Sequence, residues 1–202
     1  MTNFDVLIIG GGVSGMQSAL VLGSAKEKTF ASDKEIGIIM HQKSSHLQNA
    51  KFNNALGINP GTLGSNILAD GIKHLTEKYP HVSQILDEKV ITITAIQNGY
   101  EITTNRSVLF SKIVVLALNY SKPLTIKGLE KFIIPHRKAA PKKDRIQLKN
   151  ENFLVTDGMY VCGTIAGVRS QFAIAAGSGA SVATDILTLW NGGNHTKVHD
   201  KA

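Results

Sequence analysis

The residues best suited to chemistry stand near the start of the chain. Gly10-Gly11-Gly12-Val13-Ser14-Gly15 contains G-x-G-x-x-G, with its glycines at 10, 12 and 15. The motif follows the short apolar run Val6-Leu7-Ile8-Ile9 and opens a segment of helical character. In that setting each glycine has a separate task. The first permits a tight turn, the second lets backbone N–H groups approach a pyrophosphate, and the third lets the helix sit close on the strand. The N–H groups of the first helical turn and the positive end of the helix dipole then face the phosphates. The same pattern expects an Asp or Glu at the end of the second strand to hold the ribose hydroxyls. Here that strand ends Met40-His41-Gln42. His41 or Gln42 can supply one neutral hydrogen bond in place of the acid, at a cost of about 1–2 kcal/mol, or about tenfold in affinity.

Other reactive types are sparse. Cys162 is the single thiol, so the chain holds no internal disulfide and no Cys-x-x-Cys redox pair. Set among apolar neighbours in an expected strand, Cys162 reads first as a packing residue and second as a thiol facing a cofactor. The seven His read as solvated loop residues, and no metal site is expected. Trp190 is expected to pack the end of the last helix. Redox chemistry would have to come from a cofactor.

The elements that must position these residues are legible in outline. Val6–Ile9 has the continuous apolar character of a strand buried on both faces. Ser14–Ala25 suits a helix on a sheet, Lys26–Lys34 a polar loop, and Ile36–Met40 a second parallel strand, which together form a βαβ unit. Residues 41–64 are polar and glycine-punctuated, as in a functional loop, and Asn66–Lys78 reads as a second helix. Val90–Ile96, Tyr100–Thr104 and Ser107–Phe110, broken by Asn98-Gly99 and Asn105-Arg106, predict an antiparallel meander. Ile113–Leu118 then rejoins the parallel sheet. Met159–Cys162 forms a last buried strand ending at Gly163, and a helix runs from about Gln171 to Trp190 with small residues at its start.

The 202 residues suffice for one ordinary domain and not for two nucleotide-binding domains of roughly 150 residues each. Met1 to Ile9 holds one acid and no Lys or Arg before the apolar run, so a secretory signal or basic transit peptide is not expected, and uninterrupted apolar runs such as Ile113–Leu118 fall far short of the roughly 20 residues that span a bilayer. A cytoplasmic protein without a membrane segment is expected. The net charge of +7 lies entirely between Lys122 and Lys149, where nine basic residues meet two acids. This stretch, holding Pro135 and Pro141, reads first as a solvated connector and second as a contact for nucleic acid or anionic lipid. A nucleic-acid role ranks last, since no aromatic residues are interleaved for base stacking.

Taken together, GGGVSG at residues 10–15, Gln48-Asn49 through Leu56-Gly57-Ile58-Asn59-Pro60-Gly61, the meander, Thr156-Asp157-Gly158-Met159-Tyr160-Val161-Cys162-Gly163, and Gln171-Phe172-Ala173-Ile174-Ala175-Ala176-Gly177-Ser178-Gly179-Ala180 resemble the FAD domain of thioredoxin-reductase-like flavoproteins, within the FAD-dependent pyridine nucleotide-disulfide oxidoreductase superfamily. The resemblance covers roughly residues 3–130 and 150–190. It implies an α/β, Rossmann-like FAD/NAD(P)-binding domain, with a central parallel sheet, helices on one face and an antiparallel β-meander on the other. Residues 1–190 would form this single domain and 191–202 a disordered tail. In that family an NADPH-binding domain is inserted after the strand matching Ile113–Leu118, and the disulfide-reducing members carry a Cys-x-x-Cys there. In this chain the basic connector, 122–149, stands in that place.

Residue by residue, the resemblance assigns Gly10, Gly12, Val13, Ser14 and Gly15 to the pyrophosphate turn, and Met40, His41 and Gln42 to the adenosine ribose. It puts Asn49 near the flavin and the Val90 backbone near the adenine. Gly163 and Thr164 match a Gly-Asp pair at the ribityl and phosphate region. Gln171, Phe172 and Ala173 open the helix whose N-terminus would face the flavin N1–C2 carbonyl. Ala117-Leu118-Asn119 stands where the family has Ala-Thr-Gly. With the missing ribose acid and Thr164 in place of Asp, that makes three departures at one site. They imply altered flavin affinity, a different nucleotide, or a fold that has lost its ligand. The leading expectation is an FAD-binding oxidoreductase served by an external donor, either free NAD(P)H or a separate redox partner protein, with a homo-oligomer also compatible. The alternative is a non-enzymatic or degenerate dinucleotide-binding module.

Overall fold

Two apolar layers, one on each side of a twisted sheet, organise the chain, and the sequence alternation in its first strand produces both. The computed structural model describes residues 3–41 and 45–198. In β1 (Asn3–Ile9), Val6 and Ile8 face one core while Leu7 and Ile9 face the other, as the two-residue period of a strand requires. The first core is covered by α1 (Val13–Gly23), reached through the glycine turn. From α1 the chain passes to β2 (Ile36–Met40), which is buried throughout and lies parallel to β1. The two-residue strands β3 (Lys51–Phe52) and β4 (Thr62–Leu63) pair with each other ahead of α2 (Gly64–Lys78).

A parallel edge strand, β5 (Val82–Leu86), pairs with β2. Sequence patterning missed it because Ser83 and Gln84 interrupt its apolar residues, as suits a strand at the sheet edge. The expected meander follows as β6 (Val90–Ile96), β7 (Gly99–Thr104) and β8 (Val108–Leu116). Here the structure joins two strands that the sequence separates. β8 pairs antiparallel with β7 through Val108–Ser111 and parallel with β1 through Phe110–Leu116, so one strand serves both meander and central sheet. Exposed Lys112 makes the run look broken in sequence, but it only marks where the strand passes from one role to the other.

The basic segment is more than a solvated connector. It contains β9 (Ile133–Pro135) and β10 (Ile146–Leu148), paired antiparallel, and its Ile126, Leu129, Ile146 and Leu148 are buried in the meander-side core. Its charged residues, apart from half-buried Arg145, are exposed while its aliphatic residues anchor it, so composition alone described mainly the outer surface. The sheet is completed by β11 (Leu154–Thr156) and β12 (Met159–Val161), the latter parallel to β8. The parallel strands run in the order β12-β8-β1-β2-β5. The chain therefore reverses direction of travel across the sheet at β1 and β8, the position where open α/β sheets bind ligands beyond their carboxyl ends.

The last helix, α3 (Phe172–Trp190), is the single helix among the described residues long and apolar enough to cross a membrane by length and composition. Its Val182, Ala183, Ile186 and Leu187 are buried in the helix-side core with α1 and the sheet, as in a core helix of a folded domain. Residues 191–198 continue in turns and irregular chain, with Thr196 buried.

Candidate functional site

The reversal at β1 and β8 opens a cleft of ≈ 580 Å³ at the carboxyl ends of the strands. Its floor is the glycine turn. Gly10 donates its N–H to the Ile39 carbonyl (2.9 Å), and Ala117 donates to the Ile9 carbonyl (2.9 Å), so the turn is held between the ends of β2 and β8. Gly10 adopts φ 122°, and a Cβ there would lie 2.3 Å from the Ala117 carbonyl oxygen. At Gly15 a Cβ would lie 1.9 Å from the Gly10 carbonyl oxygen. Both positions therefore require glycine for packing.

Gly12 differs. It lines the cleft, and a Cβ there would meet no protein atom within 4 Å. The second glycine of the motif thus leaves an open cradle of the size a side chain would fill, at the N-cap of α1. Gly12 supplies no side-chain cap, and the first intrahelical bond of α1 runs from the Met16 N–H to the Gly12 carbonyl (2.9 Å). The first-turn N–H groups ahead of Met16 point out of the helix, at its positive end.

A second helix N-terminus meets the same cleft. α3 begins after Gln171, which makes no side-chain cap, and Ser170, Gln171, Phe172 and Ala175 line the cleft. The close approach of α3 to α1 explains the small residues seen in sequence. A Cβ on Gly179 would lie 2.0 Å from the Ser14 carbonyl oxygen, and Ser18 Oγ donates to the Gly179 carbonyl (2.7 Å). Gly163 is equally tight: its Cβ would lie 2.5 Å from Ser14 Oγ, and its N–H donates to Ser178 Oγ (2.8 Å). The two glycine motifs, about 150 residues apart in sequence, lock into one wall.

Beneath that wall, Cys162 is wholly buried. Burial pushes its thiol up to about 12, against weaker opposing hydrogen bonds with Ser14 and Ser18. It is a neutral packing group and not a nucleophile.

Of the residues singled out by sequence, Gly10, Gly12, Val13, Ser14, His41, Val90, Ala117, Asn119, Gly163, Thr164, Gln171 and Phe172 all line the cleft. Gly15, Met40, Asn49 and Ala173 do not: Gly15 and Met40 are buried in packing roles, while Asn49 and Ala173 are exposed nearby. Gln42 lies outside the described residues. Asn119 Oδ1 accepts from the Ser121 N–H (2.9 Å), so its side chain shapes the turn after β8. The Thr164 carbonyl is bound to His136 Nε2 (3.0 Å). His136 Nδ1 accepts from the Lys138 N–H (3.1 Å), which leaves the ring proton on Nε2 to be donated to Thr164. The basic segment thus braces the second glycine motif.

Sequence reasoning missed several lining residues. Phe52 lines the cleft and meets Phe172 edge to face, with ring centroids 5.2 Å apart. Glu88 also lines it, beside Lys89 and Val90. Its Oε2 accepts from Thr104 Oγ1 (2.5 Å) and Ser107 Oγ (2.8 Å). An acid therefore stands at the His41 and Val90 end of the cleft after all, supplied from the loop after β5 and not from β2. No motif spacing could find it, because the loop's position depends on an edge strand that patterning overlooked. Among the described residues no three His, Cys, Asp or Glu side chains gather as a metal site. His195 and His199 do stand four apart in sequence, but His199 lies outside the described residues.

No protein-family model matches the sequence. Among curated relatives, ferredoxin–NADP reductase 1 of Listeria innocua is 32% identical over 118 residues, 56% of this chain and 34% of that protein. The same reductase of Listeria welshimeri is 33% identical over 116 residues. The chain thus spans about a third of the length of these relatives. Among solved structures, a thioredoxin reductase from Gloeobacter violaceus matches with a TM-score of 0.73 at 12% identity, covering 100% of this chain and 99% of that one. A ferredoxin-flavin thioredoxin reductase from Clostridium acetobutylicum matches with a TM-score of 0.67 at 17% identity, covering 95% and 99%. The chain therefore has the thioredoxin-reductase-like fold, and over 116–118 of its residues its sequence is 32–33% identical to ferredoxin–NADP reductases.

Proposed function

We propose that the chain binds FAD non-covalently in the cleft and acts as a cytoplasmic flavin-dependent oxidoreductase served by an external electron donor. The observation that carries this reading is the open cradle at Gly12, where the end of β1 and the first turn of α1 leave room for a phosphate against backbone N–H groups. Gly10, Gly12, Val13 and Ser14 would hold the pyrophosphate. His41, Glu88 and the Val90 backbone would hold the adenosine end. Phe52, Phe172 and the N-terminus of α3 would hold the isoalloxazine, with the helix dipole favouring negative charge there. FAD, when bound, supplies the hydride and electron chemistry. The residues of the chain bind it, orient it and exclude water from its apolar face.

Without an inserted nicotinamide domain in the segment between β8 and β11, the donor would be free NAD(P)H or a separate redox protein. The related proteins are named as reductases, which supports the class of chemistry and leaves donor and acceptor to experiment. Titration of the purified protein with FAD tests the reading. Saturable binding with a perturbed flavin absorption band is expected, followed by bleaching of that band under NAD(P)H or a reduced carrier protein. Failure to bind FAD would overturn it. Binding without reduction by any donor would instead favour the non-enzymatic module, the reading prompted by the three departures at this site.

A further inference from the structure

A second cavity of ≈ 460 Å³ lies between α1, α2 and the loop joining β3 to β4. Val13, Leu47 and Phe172 line both this cavity and the cleft, so the two share a wall. That wall brings together the first residue of α1, directly after Gly12, the 46–49 turn and the first residue of α3. The chemistry of the second cavity is different from that of the first. Met16, Leu20 and Leu68 give it an apolar floor, and its lining includes no Lys or Arg. Its single ionisable acid is Asp70. A site with one carboxylate and neither Lys nor Arg offers little to hold phosphates, carboxylates and other anions.

The polar groups fit a neutral ligand instead. Gln17 presents an amide that both donates and accepts, and Asp70 and His74 stand four residues apart on the cavity side of α2. Above the apolar floor, the Gln17 amide and a His74 ring N–H can each donate to the carbonyl oxygen of a flat ring, and Asp70 stands one helical turn from His74. The floor is also adaptable. A Cβ at Gly71 would lie 2.7 Å from Met16 Cε, so the bare glycine leaves room for the flexible thioether, which can shift to follow a ligand. At the loop tip beside the mouth, Leu56 is fully exposed, extending the apolar surface outward.

We propose that this second cavity binds a small neutral aromatic dicarbonyl of the quinone class, held across the shared wall from the cleft. A role as electron acceptor, in which reduced flavin would give up two electrons and one proton and the quinone would take these and a second proton from solvent to become the quinol, rests on the reading of the neighbouring cleft as a flavin site; the binding itself does not. Equilibrium dialysis of dimethylnaphthoquinone against the protein, with and without saturating FAD, separates the two. The probe is the 2,3-dimethyl-1,4 isomer, in which both quinone-ring positions open to thiol addition carry methyl groups. Saturable binding is expected in both conditions.

Ile58→Trp and Ile67→Trp each fill the cavity from side chains that do not line the cleft. Each is expected to weaken the quinone at least tenfold while leaving FAD affinity within twofold, and two positions guard against a variant that fails to fold. Naphthoate, a ring of the same size with a carboxylate, is expected not to bind. The proposal is overturned if the quinone does not bind, if it competes with FAD, if both filled variants bind it like the parent, or if naphthoate binds as well. FAD failing to bind while the quinone still does would sink the flavin reading and leave the cavity assignment standing.

Discussion

A side chain at position 12 would project into the cleft, whereas one at position 10 or 15 would collide with backbone carbonyl oxygens. The three glycines of one motif therefore separate into ligand and packing roles, and substitution distinguishes them. Gly12→Val is expected to shift Tm by no more than about 1–2 °C, the equivalent of about 0.5 kcal/mol in a chain of this length, because a Cβ there meets no protein atom within 4 Å. It should lower FAD affinity at least tenfold by occupying the cradle. Gly15→Ala must move either the turn or α1, and is expected to cost about 1–3 kcal/mol. Urea denaturation and flavin titration on the two variants check both statements. A Gly12→Val protein that binds FAD normally would contradict the phosphate cradle. Cys162 gives a second prediction at this scale. Its thiol is raised from 9.0 to about 12, so as pH rises past about 9 the unfolded chain releases a proton that the native chain keeps. The stability contribution is full below pH 9 and is lost progressively towards pH 12. Tyr100 and Tyr160, also raised chiefly by burial, act in the same direction. The urea midpoint should fall with pH across this window, and Cys162→Ala should flatten the slope, leaving the part due to the tyrosines.

At the scale of elements, the basic segment is the clearest test of structure against composition. Leu129 and Leu148 are fully buried beneath it. Leu148→Ala is expected to cost about 2–5 kcal/mol, the range for a buried leucine, where a solvated connector would change by about 0.5 kcal/mol or less. Equilibrium urea unfolding decides between them, and a negligible change would return the segment to linker status. The sequence signal here was misleading for a physical reason. Charge marks the loops around β9 and β10, neither of which carries a charged residue, and three-residue strands are too short to show their burial in the sequence pattern. The same limit hid β5, whose polar Ser83 and Gln84 belong to an edge. By contrast β1, α1, β2 and α3 were legible, because continuous burial on both faces or a long small-residue helix leaves a pattern that few other structures share. Much of the candidate site was legible for the same reason: it hangs from those elements. Phe52 and Glu88 were not, since each reaches the cleft from a loop or short strand whose placement only the tertiary fold sets.

For the molecule as a whole, the cleft joins pieces that are remote in the chain. Its floor comes from residues 10–14, one end from 88–90, one wall from 117–126, and the other from 163–175. A ligand that touches all four favours the native state over the unfolded one, in which no such site exists. Linkage then sets the size of the effect: at a free concentration of about 100 times its Kd, FAD should add ≈ 2.7 kcal/mol. For a domain of this length that corresponds to a rise in Tm of roughly 5–10 °C. AMP occupies only the adenosine end and lacks the pyrophosphate, so at the same multiple of its own Kd it should stabilise equally, but should need a far higher concentration to do so. The Gly12→Val variant should need more FAD for the same rise, while Leu148→Ala should show the parent's shift from a lower starting Tm. Differential scanning fluorimetry over a series of FAD concentrations, and of AMP on the parent, reads all three. A Tm that stays constant as FAD increases would show that the two glycine motifs, though locked together by Ser14, Ser18 and Ser178, form a wall that holds no dinucleotide.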